Sequence, residues 1–243
     1  MDNKSIQQRA WYMLPARLFL FAGFQALFAL GFFLFGNKEA WTTSANWWPI
    51  IVGLANIVCL MILLKFFRTE GENYWELFRF QKNSMGKDLL FLLAFLAAAA
   101  PLSYLPNVML GKLLFGDPSA TLQLFIRPLP IWAVYVSLIF FSVTQGLVEI
   151  PTYMLYIMPR LEKGGMNRWL AILLPTLFLS AQHIAVPLLF DGKFILWRFF
   201  MFLPFAFLVA VLMRIRPRLM PYIAIVHILM DASTAMMLFQ FAY

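Results

Sequence analysis

Residues 130–158 read PIWAVYVSLIFFSVTQGLVEIPTYMLYIM, and this stretch decides the fold. It carries one formal charge, Glu149. Its apolar residues run continuously instead of alternating, which argues for a helix over a half-buried strand. A helix needs about 20 apolar residues to cross a hydrocarbon core of about 30 Å. Inside lipid only helices and closed barrels satisfy every backbone N–H and C=O. The stretch therefore reads as a transmembrane helix with a carboxylate inside it.

Six more segments of the same kind flank it: Leu14–Phe35, Trp47–Phe67, Leu89–Leu110, Trp169–Phe190, Ile195–Met213 and Leu219–Tyr243. The third segment of the chain contains Pro101 and Pro106, so it is a candidate to break into a span and an interfacial piece. An eighth, short membrane element is then placed near Leu113–Phe125. Hydrophobic residues make up 63% of the 243 and charged residues 12%, against about 25% charged in a soluble domain. The expected architecture is all-α: a polytopic transmembrane bundle of seven helices, or eight, forming one integral membrane domain over 1–243. The polar start runs directly into the first span, with no cleavage site of the signal-peptide kind. The single cysteine, Cys59, lies in an apolar run and rules out a disulfide within the chain.

Basic residues sort by loop. Lys4, Arg9 and Arg17 flank the start; Lys65, Arg68, Arg79, Lys82 and Lys87 surround the second loop; Arg160, Lys163 and Arg168 the fourth; Arg214, Arg216 and Arg218 the sixth. The other side receives Lys38, Lys112, Arg127, Lys193 and Arg198. This asymmetry predicts a cytoplasmic N-terminus and accounts for the net charge of +8 without nucleic acid as a partner. One further full span would scramble the sorting, which favours seven. The segment Asn73–Lys82 (NYWELFRFQK) mixes aromatic and charged residues at helical spacing and predicts an amphipathic helix at the interface.

Nine of the eleven acidic residues fall in loops or at segment ends; Glu149 and Asp231 do not. The two histidines, His183 and His227, also lie within apolar segments. An ionised side chain at the bilayer centre costs at least about 2.5–3.5 kcal/mol, so such residues face the bundle interior and mark function. Counting from the basic flanks at 1.5 Å per residue, Glu149 lies about 16 Å deep, His183 about 22 Å, and His227 and Asp231 about 14 and 20 Å. The four are expected to share one mid-membrane pocket. His227 and Asp231, four apart, share a helix face, where the carboxylate could accept from the imidazole. Gln145, Glu149, Tyr153 and Tyr156 form one stripe. Pro151 and Pro187 remove the helix bonds that would have used the Leu147 and His183 carbonyls.

Two carboxylates and two imidazoles support more than one chemistry. Glu149 with His183 suits activation of a water against a peptide carbonyl, with His227 and Asp231 at the oxyanion. The same four residues could instead hold a divalent metal such as zinc, which activates its bound water. A proton-coupled carrier uses the same groups as a relay, although no internal repeat of the carrier kind is visible in the chain.

At these residues the chain resembles the CAAX protease and bacteriocin-processing (CPBP, or Abi) family of intramembrane endopeptidases. That family has three motifs on separate helices: E-E-x-x-[WF]-R-G-Y-x-x-P-R-L, an aromatic-x-x-x-His, and His-x-x-x-[Asn/Asp]. Here Glu149 matches the first glutamate, Tyr153 the aromatic, Tyr156 the tyrosine, and Pro159-Arg160-Leu161 the tail. The second motif reads Leu179-Ser-Ala-Gln-His183, with Phe178 one place early, and the third is His227-Ile-Leu-Met-Asp231. Ile150 stands at the second glutamate and Met154 at the arginine. An alternative register puts Val148 and Glu149 at the glutamate pair and loses the Tyr153, Tyr156 and Pro-Arg-Leu matches. The resemblance covers about 130–243. It implies cleavage of a peptide or protein substrate at the bilayer, with Glu149 as base, His183 as its partner and His227 with Asp231 as the oxyanion or ligand pair. The paired loss at 150 and 154 fits a rewired site, and equally an inactive homologue acting as a membrane adaptor or immunity-type protein. A bacterial cytoplasmic membrane is the expected location.

Overall fold

The computed structural model describes residues 3–243, with side chains from Ser5 onward. Among these residues the chain forms ten α-helices and no strand. They are α1 (Asn3–Leu34), α2 (Ala40–Asn46), α3 (Trp48–Thr69), α4 (Met85–Phe115), α5 (Ala120–Phe125), α6 (Ile131–Ile150), α7 (Met158–Lys163), α8 (Arg168–Gln182), α9 (Gly192–Ile215) and α10 (Met220–Met237). Six of the seven expected spans recur among the described residues as helices long enough to cross a membrane; the segment Trp169–Phe190 is helical only to Gln182 and does not. Six helical stretches are long and apolar enough to cross a membrane: Ser5–Leu34, Trp48–Thr69, Tyr74–Phe115, Ile131–Lys163, Gly192–Ile215 and Pro217–Phe241. The chain is an all-α polytopic bundle that fits an integral membrane protein.

Local signals set the helix ends. Pro49 sits in the first turn of α3, where its missing N–H goes unneeded. Asn167 caps α8 through the Trp169 N–H (2.9 Å), and Asp191 caps α9 through the Phe194 N–H (2.8 Å). Gly116, at φ 80°, closes α4 with a left-handed residue whose N–H returns to the Lys112 carbonyl.

Three expectations change. The third segment does not break: α4 is continuous over 31 residues with Pro101 and Pro106 inside it. Lipid offers the freed carbonyls no competing partner, so the rest of the ladder holds, and Ser103 donates to the Ala100 carbonyl between the prolines (3.0 Å). The short element near Leu113–Phe125 is α5, six residues and about 9 Å long. Asn73–Lys82 is not an amphipathic α-helix. It makes a 3₁₀ turn, Tyr74–Phe78, followed by extended backbone, because Asn73 caps the turn at Trp75 (3.0 Å) and Tyr74 dives into the core. Finally, α8 stops at Gln182, 15 residues long, and the chain reaches α9 through turns, an isolated bridge between Ala185 and Leu188, and irregular backbone over 189–191.

Packing runs α3 on α6 on α10, with α9 against both α4 and α8, and α1 against α3 and α8. The α6–α10 contact is a close backbone approach. A Cβ on Gly146 would lie 2.5 Å from Ile228 Cγ1 and 3.0 Å from the Ala224 carbonyl oxygen. At the end of the bundle that carries Arg160 and Arg214–Arg218, called the basic end below, ion pairs tie the helices. Arg218 Nε donates to buried Asp88 at 2.8 Å, and Arg214 pairs with Glu162 at 2.7 Å.

Candidate functional site: a buried carboxylate, two imidazoles and a guanidinium clamp

The site begins at a proline. Pro151 has no N–H to give the Leu147 carbonyl, and the helix responds by widening into a π-helix over Pro151–Ile157 before resuming as α7. The Tyr74 hydroxyl takes the freed Leu147 carbonyl. Tyr74 is 1% exposed, so Tyr74→Phe strands a buried acceptor and should lower stability by about 1–3 kcal/mol. Thermal unfolding in micelles checks this, and an unchanged midpoint would contradict it.

Two residues before the widening, Glu149 is the hub of the site and is buried. Its Oε2 accepts from the side-chain amides of Gln145 and, at 2.6 Å, Gln182. His183 Nε2 lies 3.8 Å from Oε2, and His227 Nε2 lies 3.5 Å from Oε1. Asp231 Oδ2 is 3.3 Å from His227 Nε2. Glu149, His183 and His227 therefore lie side by side, with Asp231 joined through His227. The expected His227–Asp231 hydrogen bond does not: the distance is met, yet Asp231 Oδ2 and His227 Nδ1 are both buried without hydrogen-bond partners.

His183 is held on three sides. Its Nδ1 lies 2.8 Å from the Leu179 carbonyl, an acceptor, so Nδ1 carries a proton, and in the neutral ring Nε2 is the lone-pair nitrogen beside Glu149. Phe202 stacks on the ring, centroids 3.7 Å apart. Because α8 ends here, the His183 carbonyl accepts from the Val186 N–H (3.2 Å) and from Arg198 Nε (3.1 Å). Arg198 Nη2 also bonds the Val186 carbonyl (2.8 Å). The carbonyl that Pro187 frees is thus satisfied by a side chain from α9.

Two basic residues sorted above to the flanks belong inside. Arg17 is fully buried, and Arg198 is 2% exposed. Arg17 donates from Nε to Gln182 Oε1 (2.6 Å), from Nη1 to Asn56 Oδ1 (2.6 Å) and from Nη2 to Gln145 Oε1 (2.9 Å). Its Nη2 lies 3.7 Å from Glu149 Oε2. Moving both residues inward leaves thirteen basic residues against four, so the loop asymmetry survives. Sequence reasoning also passed over Asn56, Gln182 and Phe202. Arg17, Asn56 and Gln182 were findable as polar residues within apolar segments; Phe202 had no signal.

The predicted stripe splits at the π-helix. Gln145 and Glu149 face the site, and the Tyr153 hydroxyl reaches Gln182 Oε1 (3.4 Å). Tyr156 instead turns to the basic end and donates to Glu70 Oε1 (2.8 Å), since a π turn advances the face by more than 3.6 residues. Ile150 and Met154, 3% and 0% exposed, pack in the apolar core, so the cation near Glu149 comes from α1.

Two amides engage Glu149 Oε2, so Oε1, with His183, His227 and Asp231, would be left to hold a zinc ion. Among the described residues no group of three or more His, Cys, Asp or Glu side chains is arranged as a metal cage. Comparison of the chain with protein-family models, curated proteins and solved structures finds no match.

Proposed function

We propose that the protein is a glutamate- and histidine-dependent peptidase that hydrolyses peptide bonds of membrane-associated substrates, of the kind the CPBP motifs imply. The basic end and the N-terminus would face the cytoplasm of a bacterial cell. One observation carries the reading: Glu149 Oε1 takes no hydrogen bond from a described side chain and faces His227, while His183 Nε2 offers a bare lone pair beside the same carboxylate. A water lodged there would donate one hydrogen to Glu149 and the other to His183. Glu149 takes a proton as the water oxygen bonds to the peptide carbon. His227 Nε2, whose near neighbours are carboxylate oxygens, holds a proton and donates to the developing oxyanion. When the C–N bond breaks, Glu149 returns its proton to the leaving amine.

A rival draws on Ile150 and Met154, which fill core positions where the motif has Glu and Arg. In it the chain is an inactive homologue serving as a membrane adaptor or immunity-type protein. Reconstitution into liposomes with quenched transmembrane peptides separates the two. The wild-type chain should cleave, and His183→Ala should lower the rate about 10²–10⁴-fold. No cleavage of any peptide, or equal cleavage by His183→Ala, would favour the rival. Zinc analysis of the same preparation would show whether the activity needs a metal.

A further inference from the structure

The geometry points to Arg17 as a positioning residue that leaves Glu149 one working oxygen. The inference rests on the reading of Glu149 as the base. A guanidinium has donors and no acceptor. Whatever faces it must present oxygen, and three carboxamides do so: Asn56, Gln145 and Gln182. Asn56 adds a second lock, donating to Gln145 Oε1 (2.9 Å) and Thr144 Oγ1 (3.2 Å). With their oxygens committed to Arg17, Gln145 and Gln182 can only aim their NH₂ groups the other way, and both aim at Glu149 Oε2. A flip of either amide would set NH₂ against the guanidinium and oxygen against the carboxylate.

The clamp thus converts a symmetric carboxylate into an asymmetric one. Oε2 is engaged by two amides with Arg17 beyond them, and Oε1 is turned to His227. Four helices supply the parts: Arg17 from α1, Asn56 from α3, Gln145 and Glu149 from α6, and Gln182 from the last turn of α8. Arg17 also balances the charge. Among the described residues Glu149 is the one carboxylate within 4.0 Å of it. Arg17 lies on the Oε2 side of the carboxylate, so it acts through the amides and is a positioning residue.

The test uses the full chain in nanodiscs, with side-chain amide ¹⁵N–¹H resonances of Gln145 and Gln182 assigned from single Gln→Glu variants. In the wild type both should show an amide proton shifted downfield by the carboxylate. Arg17→Met should erase that shift while the backbone spectrum stays folded, and should lower kcat about 10²-fold with KM held. Arg17→Lys, which keeps the charge and loses the fork, should keep the fold and restore only part of the shift and of kcat. It serves as the deciding variant if Arg17→Met misfolds. Unchanged amide resonances in a folded Arg17 variant overturn the clamp, as does full recovery of kcat in Arg17→Lys. The resonances read the clamp without any cleavage. A wild-type chain that cleaves nothing defeats the peptidase reading, while the amide shifts still decide whether Arg17 orients Glu149.

Discussion

Glu149→Gln should lower peptide hydrolysis about 10²–10⁴-fold and leave the bundle folded. The substitution is close to isosteric. The new amide can turn its oxygen to the place of Oε2, where Gln145 and Gln182 still donate, and its NH₂ to the place of Oε1, opposite His227. Arg17 keeps its three carboxamide acceptors. The hydrogen-bonded scaffold is then preserved and the proton acceptor is gone, but Arg17 loses the carboxylate beside it, so a loss of rate reports on the base only where unfolding shows the fold intact. Steady-state cleavage and thermal unfolding measured on one preparation test this. A rate within tenfold of wild type, with unfolding unchanged, would remove Glu149 from the mechanism.

The largest effect on stability is expected at the basic end, from Arg160→Met. Arg160 and Glu70 are 5% and 4% exposed at their side chains. Arg160 Nε and Nη2 lie 2.7 and 2.6 Å from Glu70 Oε2, and Nη2 also reaches Glu72 at 2.8 Å. The guanidinium lies over the Tyr156 ring, 3.9 Å from its centroid, and faces Phe67 at 4.9 Å. Deleting one member of a buried pair leaves the other charge stranded, at a cost of about 3–5 kcal/mol. The Tyr156 hydroxyl, at 2.8 Å, and the Arg9 guanidinium, 3.7 Å away, would remain near Glu70. Arg160→Met/Glu70→Gln should recover much of the loss, because the stranded charge at Glu70 is removed and the charges left without their partners, Arg9 and Glu72, are partly exposed. Unfolding by denaturant in mixed micelles reads both variants, and a drop below about 1 kcal/mol for the single change would mean the pair behaves as a solvated one. Arg160 lies eleven residues from Glu149, about 16 Å along the helix, so the fold and not the chemistry should register the change.

The sequence itself made the membrane class plain. The long apolar runs and the scarcity of charge leave helices as the solution, and six of the seven segments recur as helices of spanning length because hydrophobic length is a local property, while Trp169–Phe190 ends as helix at Gln182. The four titratable residues were legible for a related reason: a charge inside an apolar run stands out against its neighbours. Depth counted at 1.5 Å per residue sufficed to bring Glu149, His183 and His227 to one level.

What the sequence could not settle were orientations and partners set by other helices. Arg17 and Arg198 look like flanking charges until tertiary packing turns them inward, one to a set of carboxamides and the other to carbonyls at the end of α8. Tyr156 leaves its stripe because Pro151 widens the helix, a shift of register that a 3.6-residue period cannot foresee. The 3₁₀ turn at Tyr74–Phe78 forms where an amphipathic helix was expected, since Tyr74 answers a carbonyl 73 residues away. Burial and helix type follow from composition along the chain. Which polar group satisfies which is fixed by the need to pair buried donors with acceptors, and those partners are brought together only in three dimensions.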